Sequence, residues 1–280
     1  MYTVSWSPNG TFIASAGLGS NIEVLSATYG SVDFTCYSTS AKIYSVAWSP
    51  NGSRIASGHS DGTVRVWDGS SGSNIFILRG HSSQVNAVAW SPDSNFIVSG
   101  SGDKTVKIWD ANAGSLLSTY RDHSYYVNAV AWSHDGSSIA SGGGGGSVHV
   151  WNASSGSNVY IYYGHSRVII ALAWSNDSTR VASGSQDRTA QVWAATTGTN
   201  YVTYRGHSDY VVALAWSPNG NYIATGSRDT TVQVWDAASG NRYHTYNGHV
   251  DQVEGVAWSP DSTKVATASD DGTVQVWVGL

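Results

Sequence analysis

Tryptophan recurs at a fixed spacing along this chain of 280 residues. Seven of the 13 tryptophans are each 42 residues from the next, and they are Trp6, Trp48, Trp90, Trp132, Trp174, Trp216 and Trp258. A second series lies 19 residues behind the first and is interrupted only at Leu25; it comprises Trp67, Trp109, Trp151, Trp193, Trp235 and Trp277. Because equal copies of a sequence fold as equal structural units, this spacing constrains the fold more than any other feature.

The third copy shows what each unit forms. Residues 85–90, 96–99, 105–109 and 116–120 are β-branched and aromatic runs of strand length, and residues 100–103 form one of the turns between them. Four such strands make an antiparallel blade, which cannot bury both of its faces alone and must stack on its neighbours. We therefore predict an all-β, seven-bladed β-propeller of four-stranded antiparallel blades, in which residues 1–280 form a single domain.

The last copy is shorter than the others. The chain stops just after the third strand of the seventh copy, so we expect a three-stranded last blade with an exposed edge near residues 273–277. An unpaired edge offers backbone donors and acceptors to another chain. We predict either that the ring closes by core packing alone or that the protein self-associates through this edge. The alternative is that the missing strand lies upstream in a longer natural protein.

Short motifs recur at equivalent places in the copies, as in Gly80-His81, Trp90-Ser91-Pro92-Asp93 and Trp109-Asp110. These motifs resemble the WD40 repeat family over essentially the whole chain, and their uniformity is similar to that of bacterial WD-repeat arrays found behind kinase or NTPase domains. The resemblance implies a structural tetrad of hydrogen-bonded His, Ser or Thr, Asp and Trp side chains in each blade. The matching sets are His81, Ser99, Asp103 and Trp109; His165, Ser183, Asp187 and Trp193; His207, Thr225, Asp229 and Trp235; and His249, Thr267, Asp271 and Trp277.

Three copies depart from the tetrad pattern. Thr39 replaces the histidine in the second copy, and Gly145 replaces the aspartate in the fourth. The first copy has Gly19 and Leu25 in place of the aspartate and the tryptophan. We expect these blades to be less firmly held together than the other four.

The same His, Ser and Asp residue types could also activate a hydroxyl group in a hydrolase. Repetition favours the structural interpretation, because an active site needs one such set in a cleft, whereas buried polar groups must simply be paired. The constant spacing leaves no inserted loop for a pocket or lid, so we predict that the protein is not an enzyme. Residues 142–146 are all glycine but lack the Lys-Ser/Thr of a phosphate loop, and no histidine pair has metal-ligand spacing. We predict no cofactor and no metal.

Charge and hydrophobicity exclude further classes of partner. The formal net charge is −5, and the 14 lysines and arginines are spread thinly, which argues against a nucleic-acid partner. No segment has the length and apolarity of a membrane span or a signal peptide, so we predict no membrane partner and take the cytoplasm as the default location. Cys36 is the only cysteine, which excludes an internal disulfide.

The resemblance also implies that partners bind the top face, at positions four and six residues before the first tryptophan series and just before the tetrad aspartate. The candidate partner-binding residues there are Tyr44, Tyr126, Val168, Ile170, Tyr210, Val212 and Arg228, and Tyr2 and Leu18 occupy equivalent positions in the first copy. The apolar and aromatic arc of the fourth to sixth copies predicts a docking site for a protein or peptide. The alternative is that these side chains pack against one another and narrow the central channel.

We therefore predict a non-catalytic protein–protein interaction scaffold or recognition module. One alternative is a small-ligand or glycan-binding sensor domain of a larger signalling protein, since Tyr, Trp, Asn and Gln at a rim can hold sugars. The other is a designed or consensus-like propeller with no specific partner.

Overall fold

The computed structural model describes residues 3–17, 19–38 and 41–280. These residues form 27 β-strands in seven antiparallel sheets and include no helix. Consequently, the described part of the chain has no helix long and apolar enough to cross a membrane.

The first three blades each contain four strands in chain order. They are β1 (Thr3–Trp6), β2 (Phe12–Ala16), β3 (Asn21–Ser26) and β4 (Val32–Tyr37); β5 (Ile43–Trp48), β6 (Arg54–His59), β7 (Thr63–Asp68) and β8 (Asn74–Arg79); and β9 (Val85–Trp90), β10 (Phe96–Ser101), β11 (Val106–Asp110) and β12 (Ser115–Tyr120).

The next three blades repeat this arrangement, and the seventh contains three strands. They are β13 (Val127–Trp132), β14 (Ser138–Gly143), β15 (Val148–Asn152) and β16 (Asn158–Tyr162); β17 (Ile169–Trp174), β18 (Arg180–Ser185), β19 (Ala190–Ala194) and β20 (Asn200–Tyr204); β21 (Val211–Trp216), β22 (Tyr222–Ser227), β23 (Val232–Asp236) and β24 (Arg242–Tyr246); and β25 (Val253–Trp258), β26 (Lys264–Ser269) and β27 (Val274–Val278). The predicted seven-bladed propeller with a three-stranded last blade is confirmed.

The second strand of the third blade is longer than the sequence predicted. The sequence predicted that the second strand of the third blade spans residues 96–99 and that residues 100–103 form a turn. This boundary is wrong, because β10 continues to Ser101 and contains Gly100. A Cβ atom on Gly100 would lie 2.7 Å from a methyl group of Val127 in the fourth blade. The glycine is therefore needed for the close approach of the next blade and not for a turn.

Neighbouring blades are joined by an aromatic stack on the second tryptophan series. The ring of Tyr204, at the end of β20, lies parallel to that of Trp235 in the next blade, with ring centroids 4.7 Å apart. The Tyr204 hydroxyl also donates a hydrogen bond to Oε1 of Gln233, two residues before that tryptophan. The equivalent pairs are Tyr120 with Trp151, Tyr162 with Trp193 and Tyr246 with Trp277. Each stack ties the outer strand of one blade to the third strand of the next.

Two smaller side chains replace the tyrosine in the first and second blades. Cys36 packs in a buried cluster with Trp67, and Leu78 packs in another with Trp109. Burial, with a smaller contribution from Asp68, raises the pKa of the Cys36 thiol to about 12. The thiol therefore stays protonated and fills the space as an apolar group.

The first blade closes the ring against the seventh through side chains. The indole N–H of Trp6 donates a 3.1 Å hydrogen bond to the carbonyl of Ala257. Val4 and Trp6 also share a buried cluster with Ala266 and Ala268. The ring therefore closes by core packing, and β27 is the last strand of its sheet.

Replacement of Tyr204 by Leu removes both the stack on Trp235 and the hydrogen bond to Gln233. We expect the free energy of unfolding to fall by about 1–3 kcal/mol, the combined loss of an aromatic pair and a hydrogen bond. Urea denaturation followed by tryptophan fluorescence measures the loss. Tyr201→Leu on the same strand is the control, because the Tyr201 side chain is 56% exposed. Equal losses in the two variants would contradict the role assigned to the stack.

Candidate functional site

The third blade contains the four hydrogen-bonded side chains that the family resemblance implies. His81 lies in the loop before β9, and its Nδ1 is 2.8 Å from Asp103 while its Nε2 is 2.8 Å from Ser99 Oγ. The indole N–H of Trp109 donates a 2.8 Å hydrogen bond to the same Ser99 oxygen. A neutral imidazole therefore donates to Asp103, while Ser99 donates to the imidazole and accepts from the indole.

Burial and hydrogen bonding set the charges of this network. Burial lowers the pKa of His81, although Asp103 opposes the change. Burial alone would raise the pKa of Asp103, but hydrogen bonds from Thr105 and His81 outweigh it and lower that pKa to about 2. The backbone N–H of Ser82 donates a further hydrogen bond of 3.0 Å to the carboxylate. At neutral pH the network thus combines an ionised aspartate with a neutral histidine.

The same geometry argues against the hydrolase alternative. Ser99 is completely buried, and the side chains of His81 and Asp103 are 0% and 8% exposed. A substrate could not reach the Ser99 oxygen, which is already hydrogen-bonded to His81 and Trp109. The arrangement instead satisfies polar groups that the fold buries.

The fifth and sixth blades repeat the full network, whereas the seventh lacks one bond. The complete sets are His165, Ser183, Asp187 and Trp193, and His207, Thr225, Asp229 and Trp235. In the seventh blade His249 lies 2.7 Å from both Asp271 and Thr267. The indole N–H of Trp277 is buried and has no partner among the described residues. The sequence assigned four complete tetrads, and the described structure forms three of them in full.

The second blade uses a different histidine. Thr39, which occupies the usual histidine position, lies outside the described residues. Within β6, His59 Nε2 is 2.7 Å from Ser57 Oγ, and Trp67 donates a 2.8 Å hydrogen bond to the same oxygen. Burial lowers the pKa of His59 to about 4, and Arg65 adds to the effect. His59 thus supplies an imidazole from the strand itself, which the repeat register of the sequence does not show.

The fourth blade keeps the histidine without the carboxylate. His123 Nε2 lies 2.8 Å from Ser141 Oγ, but Gly145 occupies the aspartate position. The ring of His149 packs against the His123 ring, with centroids 4.0 Å apart. Burial, and then the nearby His149, lower the pKa of His123 to about 3. The imidazole is therefore held neutral without the carboxylate partner that four other blades provide.

Gly145→Asp is expected to complete the network of the fourth blade. The free energy of unfolding should rise by about 1.5–3 kcal/mol, the net value of a hydrogen bond to a charged group. A Cβ atom at this position would lie 3.2 Å from the ring of Tyr125, which is 57% exposed and free to shift. Chemical denaturation at neutral pH measures the gain.

Gly145→Ala is the matched control for this prediction, because it adds the Cβ atom without the carboxylate. An equal gain in both variants would show that the change comes from chain entropy and not from the network. A loss of stability in the aspartate variant would contradict the interpretation directly.

The candidate partner-binding residues lie around the mouth of the central channel, but not on one continuous surface. A cavity of about 580 Å³ occupies the channel, and its lining includes Tyr44, Tyr126, Ile170, Val212 and Arg228. Val168 instead lines a second cavity of about 320 Å³, between the fourth and fifth blades, together with residues 144–146. Tyr210 is half-buried and lies against Arg228. The predicted rim positions Tyr2 and Leu18 lie outside the described residues.

Part of the predicted arc lines the channel and is not displayed on the rim. Val212 is 6% exposed, and Ile170 is half-buried. At the same position the third and fourth blades carry Asn86 and Asn128, whose side-chain amides donate hydrogen bonds to main-chain carbonyls of the next blade. The aliphatic Ile170 and Val212 at this position line the channel cavity instead. For Val212 the geometry favours the channel-packing alternative.

Two consecutive aromatic side chains are exposed on the fourth blade. Tyr126 is 43% exposed and Tyr125 is 57% exposed. Both rings lie over the five-glycine run, because a Cβ atom on Gly144 would lie 2.9 Å from the Tyr126 ring and one on Gly145 would lie 3.2 Å from the Tyr125 ring. The glycines therefore make room for the tyrosines. Tyr125 occupies none of the rim positions that the family resemblance implies, and the sequence analysis missed it.

Arg228 adds a positive charge on the sixth blade. Its guanidinium carbon lies 5.3 Å from the ring centroid of Tyr210, and its Nε is 4.0 Å from the carboxylate of Glu254. Burial raises the pKa of Glu254, although Arg228 opposes the change. The Arg228 side chain is still 41% exposed, which leaves donors for an acceptor on a partner. In the residues that the structure describes, no group of three or more His, Cys, Asp or Glu side chains could hold a metal ion.

Comparison with protein families identifies the class of protein. The family described as WD domain, G-beta repeat matches residues 1–24, 30–68, 72–110, 114–152, 156–194, 198–236 and 240–278. A search of curated proteins gave no match. Because the seven matches cover nearly the whole chain, the protein belongs to the WD40 repeat family. Propellers of this family are generally non-enzymatic scaffolds, and they typically bind proteins or peptides.

Proposed function

We propose that the protein is a non-catalytic interaction module that binds a protein or peptide on the top of its fourth to sixth blades. The observation that carries this proposal is the exposure of Tyr125 and Tyr126 side by side, over a floor of glycines. Tyrosine offers a large contact area at low cost in conformational entropy, and it is enriched at the centres of protein interfaces.

The neighbouring cavity gives these tyrosines a concave partner surface. It measures about 320 Å³ and is lined by residues 144–146, Arg167, Val168 and Gln186. Gln186 also lines the central channel, so the two cavities adjoin. We expect a partner to insert an apolar or aromatic side chain between Tyr126 and Val168. An acidic group on the partner would find Arg167 or Arg228 beside it.

The polar groups of the channel fit the competing functions less well. The side-chain amides of Asn86 and Asn128 already donate hydrogen bonds to main-chain carbonyls of the next blade. They would have to give up these bonds in order to bind a sugar hydroxyl. The tetrad hydroxyl of Ser99 is buried and paired, which supports the absence of hydrolase activity. A cytoplasmic location and the absence of nucleic-acid and membrane partners stay predictions from the sequence.

Selection from a displayed library of random peptides tests the proposal. Peptides selected on the purified protein should bind the variant Tyr126→Ser/Val168→Ser about tenfold more weakly or worse, because the variant loses both an exposed aromatic ring beside the cavity and an apolar side chain that lines it. Fluorescence anisotropy with the selected peptides measures the change, and Tyr201→Ser is the control with an exposed tyrosine elsewhere.

Selected peptides that bind the double variant as tightly as the native protein would contradict the proposed surface. A library that yields no binder, together with selective binding on a glycan array, would favour the sensor alternative. No selective binding in either screen is the result expected of a consensus-like propeller without a partner.

A further inference from the structure

A cavity of about 650 Å³ lies between the third and fourth blades, and it is larger than the cavity in the central channel. Its lining includes residues 91–93 and 135–137, which belong to the turns that follow β9 and β13. The candidate partner-binding residues lie at the other ends of these strands, as Tyr126 immediately precedes β13. The cavity is therefore on the opposite face of the propeller from the surface proposed above.

A short side chain leaves this space open. On the fourth strands, one side chain packs against a turn glycine of the next blade, as Phe76 packs against Gly114. Ser118 occupies this position in the third blade and lines the cavity. No described atom outside the turn lies within 4 Å of a Cβ atom built on the facing Gly156. The equivalent residues that do reach their glycines are Phe34, Phe76, Tyr160 and Val202.

The tryptophan at this junction differs from most of its series. Four members donate an indole hydrogen bond to the preceding blade, as Trp90 does to the carbonyl of Ala47. Trp132 instead donates a 3.0 Å hydrogen bond to the carbonyl of Gly136 in its own turn. It is also the only one of the seven that is not buried. The ring of Phe96 lies 19° from parallel to it, with centroids 6.3 Å apart, and both rings line the cavity.

The junction of the fifth and sixth blades shows which group fits beside such an indole. Trp216 makes the same hydrogen bond within its own turn, to the carbonyl of Gly220. Arg180 lies over this indole, with its guanidinium carbon 5.0 Å from the ring centroid. A guanidinium is attracted to the face of an indole ring. Phe96 occupies the position of Arg180 in the third blade, so Trp132 has an aromatic neighbour in place of that cation.

Two aspartates give the cavity a negative charge. Among the described residues that line it, only Asp93 and Asp135 are charged. Burial alone would raise the pKa of both carboxyl groups, but hydrogen bonds from their own turns outweigh it and lower the pKa of each. A carboxylate can accept about four hydrogen bonds, and Asp93 accepts three from its turn. It can therefore accept another from a ligand.

We propose that this cavity binds an arginine side chain of a partner polypeptide. The guanidinium donates hydrogen bonds to Asp93 or Asp135, and its flat face lies on the indole of Trp132. Arginine fits these groups better than lysine, because a guanidinium stacks on aromatic rings and can pair with a carboxylate through two hydrogen bonds. The proposal is independent of the function proposed above, since this cavity shares no lining residue with the two cavities of the top face.

Titration with N-acetylarginine methylamide, which imitates an arginine residue within a polypeptide, tests the proposal. The protein is labelled with fluorotryptophan, and the fluorine resonance of Trp132 is identified by its absence from the variant Trp132→Phe. We expect a saturable shift of this resonance. The citrulline analogue has nearly the same shape without the charge, and it should cause no saturable shift.

Asp93→Asn/Asp135→Asn should weaken the binding about tenfold, because it removes both charges from the cavity. The variant is expected to fold normally, since Asn51 accepts the equivalent turn hydrogen bonds in the second blade. The matched control is Asp236→Asn/Asp261→Asn, which removes two charges from turns of the sixth and seventh blades. This control should bind the arginine compound unchanged.

Ser118→Tyr should abolish the shift, because its ring occupies the space beside Gly156 as Tyr160 does beside Gly198. Ser118 is exposed, so this variant is also expected to fold normally. Tyr126→Ser/Val168→Ser should leave the binding unchanged, which separates the cavity from the top face.

Three results would overturn the proposal: no saturable shift, an equal shift with the citrulline analogue, or binding that Asp93→Asn/Asp135→Asn does not weaken. Free arginine that binds more tightly than the blocked compound would also overturn it. The ligand would then be the amino acid and not a side chain of a polypeptide.

Discussion

The fold depends on the third-strand tryptophan that is held between two blades. In the second to sixth blades its indole N–H is paired with a buried serine or threonine of the same blade, as Trp235 is with Thr225. Its ring is covered by a side chain of the preceding blade, which is a tyrosine over four of the six tryptophans, as over Trp235, and is Cys36 or Leu78 over the other two. A single blade cannot bury both of its faces, so each blade depends on its neighbours for stability. Closure of the ring gives every blade a neighbour on each side.

In such a ring, a binding function depends on the residues whose side chains do not hold the blades together. The tetrad hydroxyls are buried and paired, and the channel amides of Asn86 and Asn128 hold the next blade. Variation is therefore tolerated on the rim, where Tyr125 and Tyr126 are exposed over glycines, and at the junction of the first and seventh blades, where the seventh blade has three strands. The docking surface proposed beside Tyr126 and Val168 lies on this rim.

The spacing of tryptophans predicted the number of blades, the strand and turn pattern of the third copy predicted the four-stranded blade, and the shorter last copy predicted the three-stranded last blade. It could not reveal contacts that depend on which residues meet between blades. His59 and His149 lie outside the repeat register, yet one binds the Ser57 of its tetrad and the other packs on His123. Gly100 was assigned to a turn because its neighbours are turn residues, whereas a valine of the next blade is what excludes a side chain there. The rim residues were predicted from the positions that bind partners in the family, so the exposed Tyr125, which lies outside those positions, was missed.

We conclude that the backbone amides of a third strand are protected from exchange only where a fourth strand pairs with it and the next blade covers it. Hydrogen–deuterium exchange of the intact protein tests it most directly, by comparing the amides of β27 with those of the equivalent strands β19 and β23. We expect the β27 amides that face away from β26 to exchange much faster than any amide of β19 or β23, because those two strands are paired on both edges. Protection of β27 equal to that of β19 and β23, at a concentration where the protein is monomeric, would contradict it.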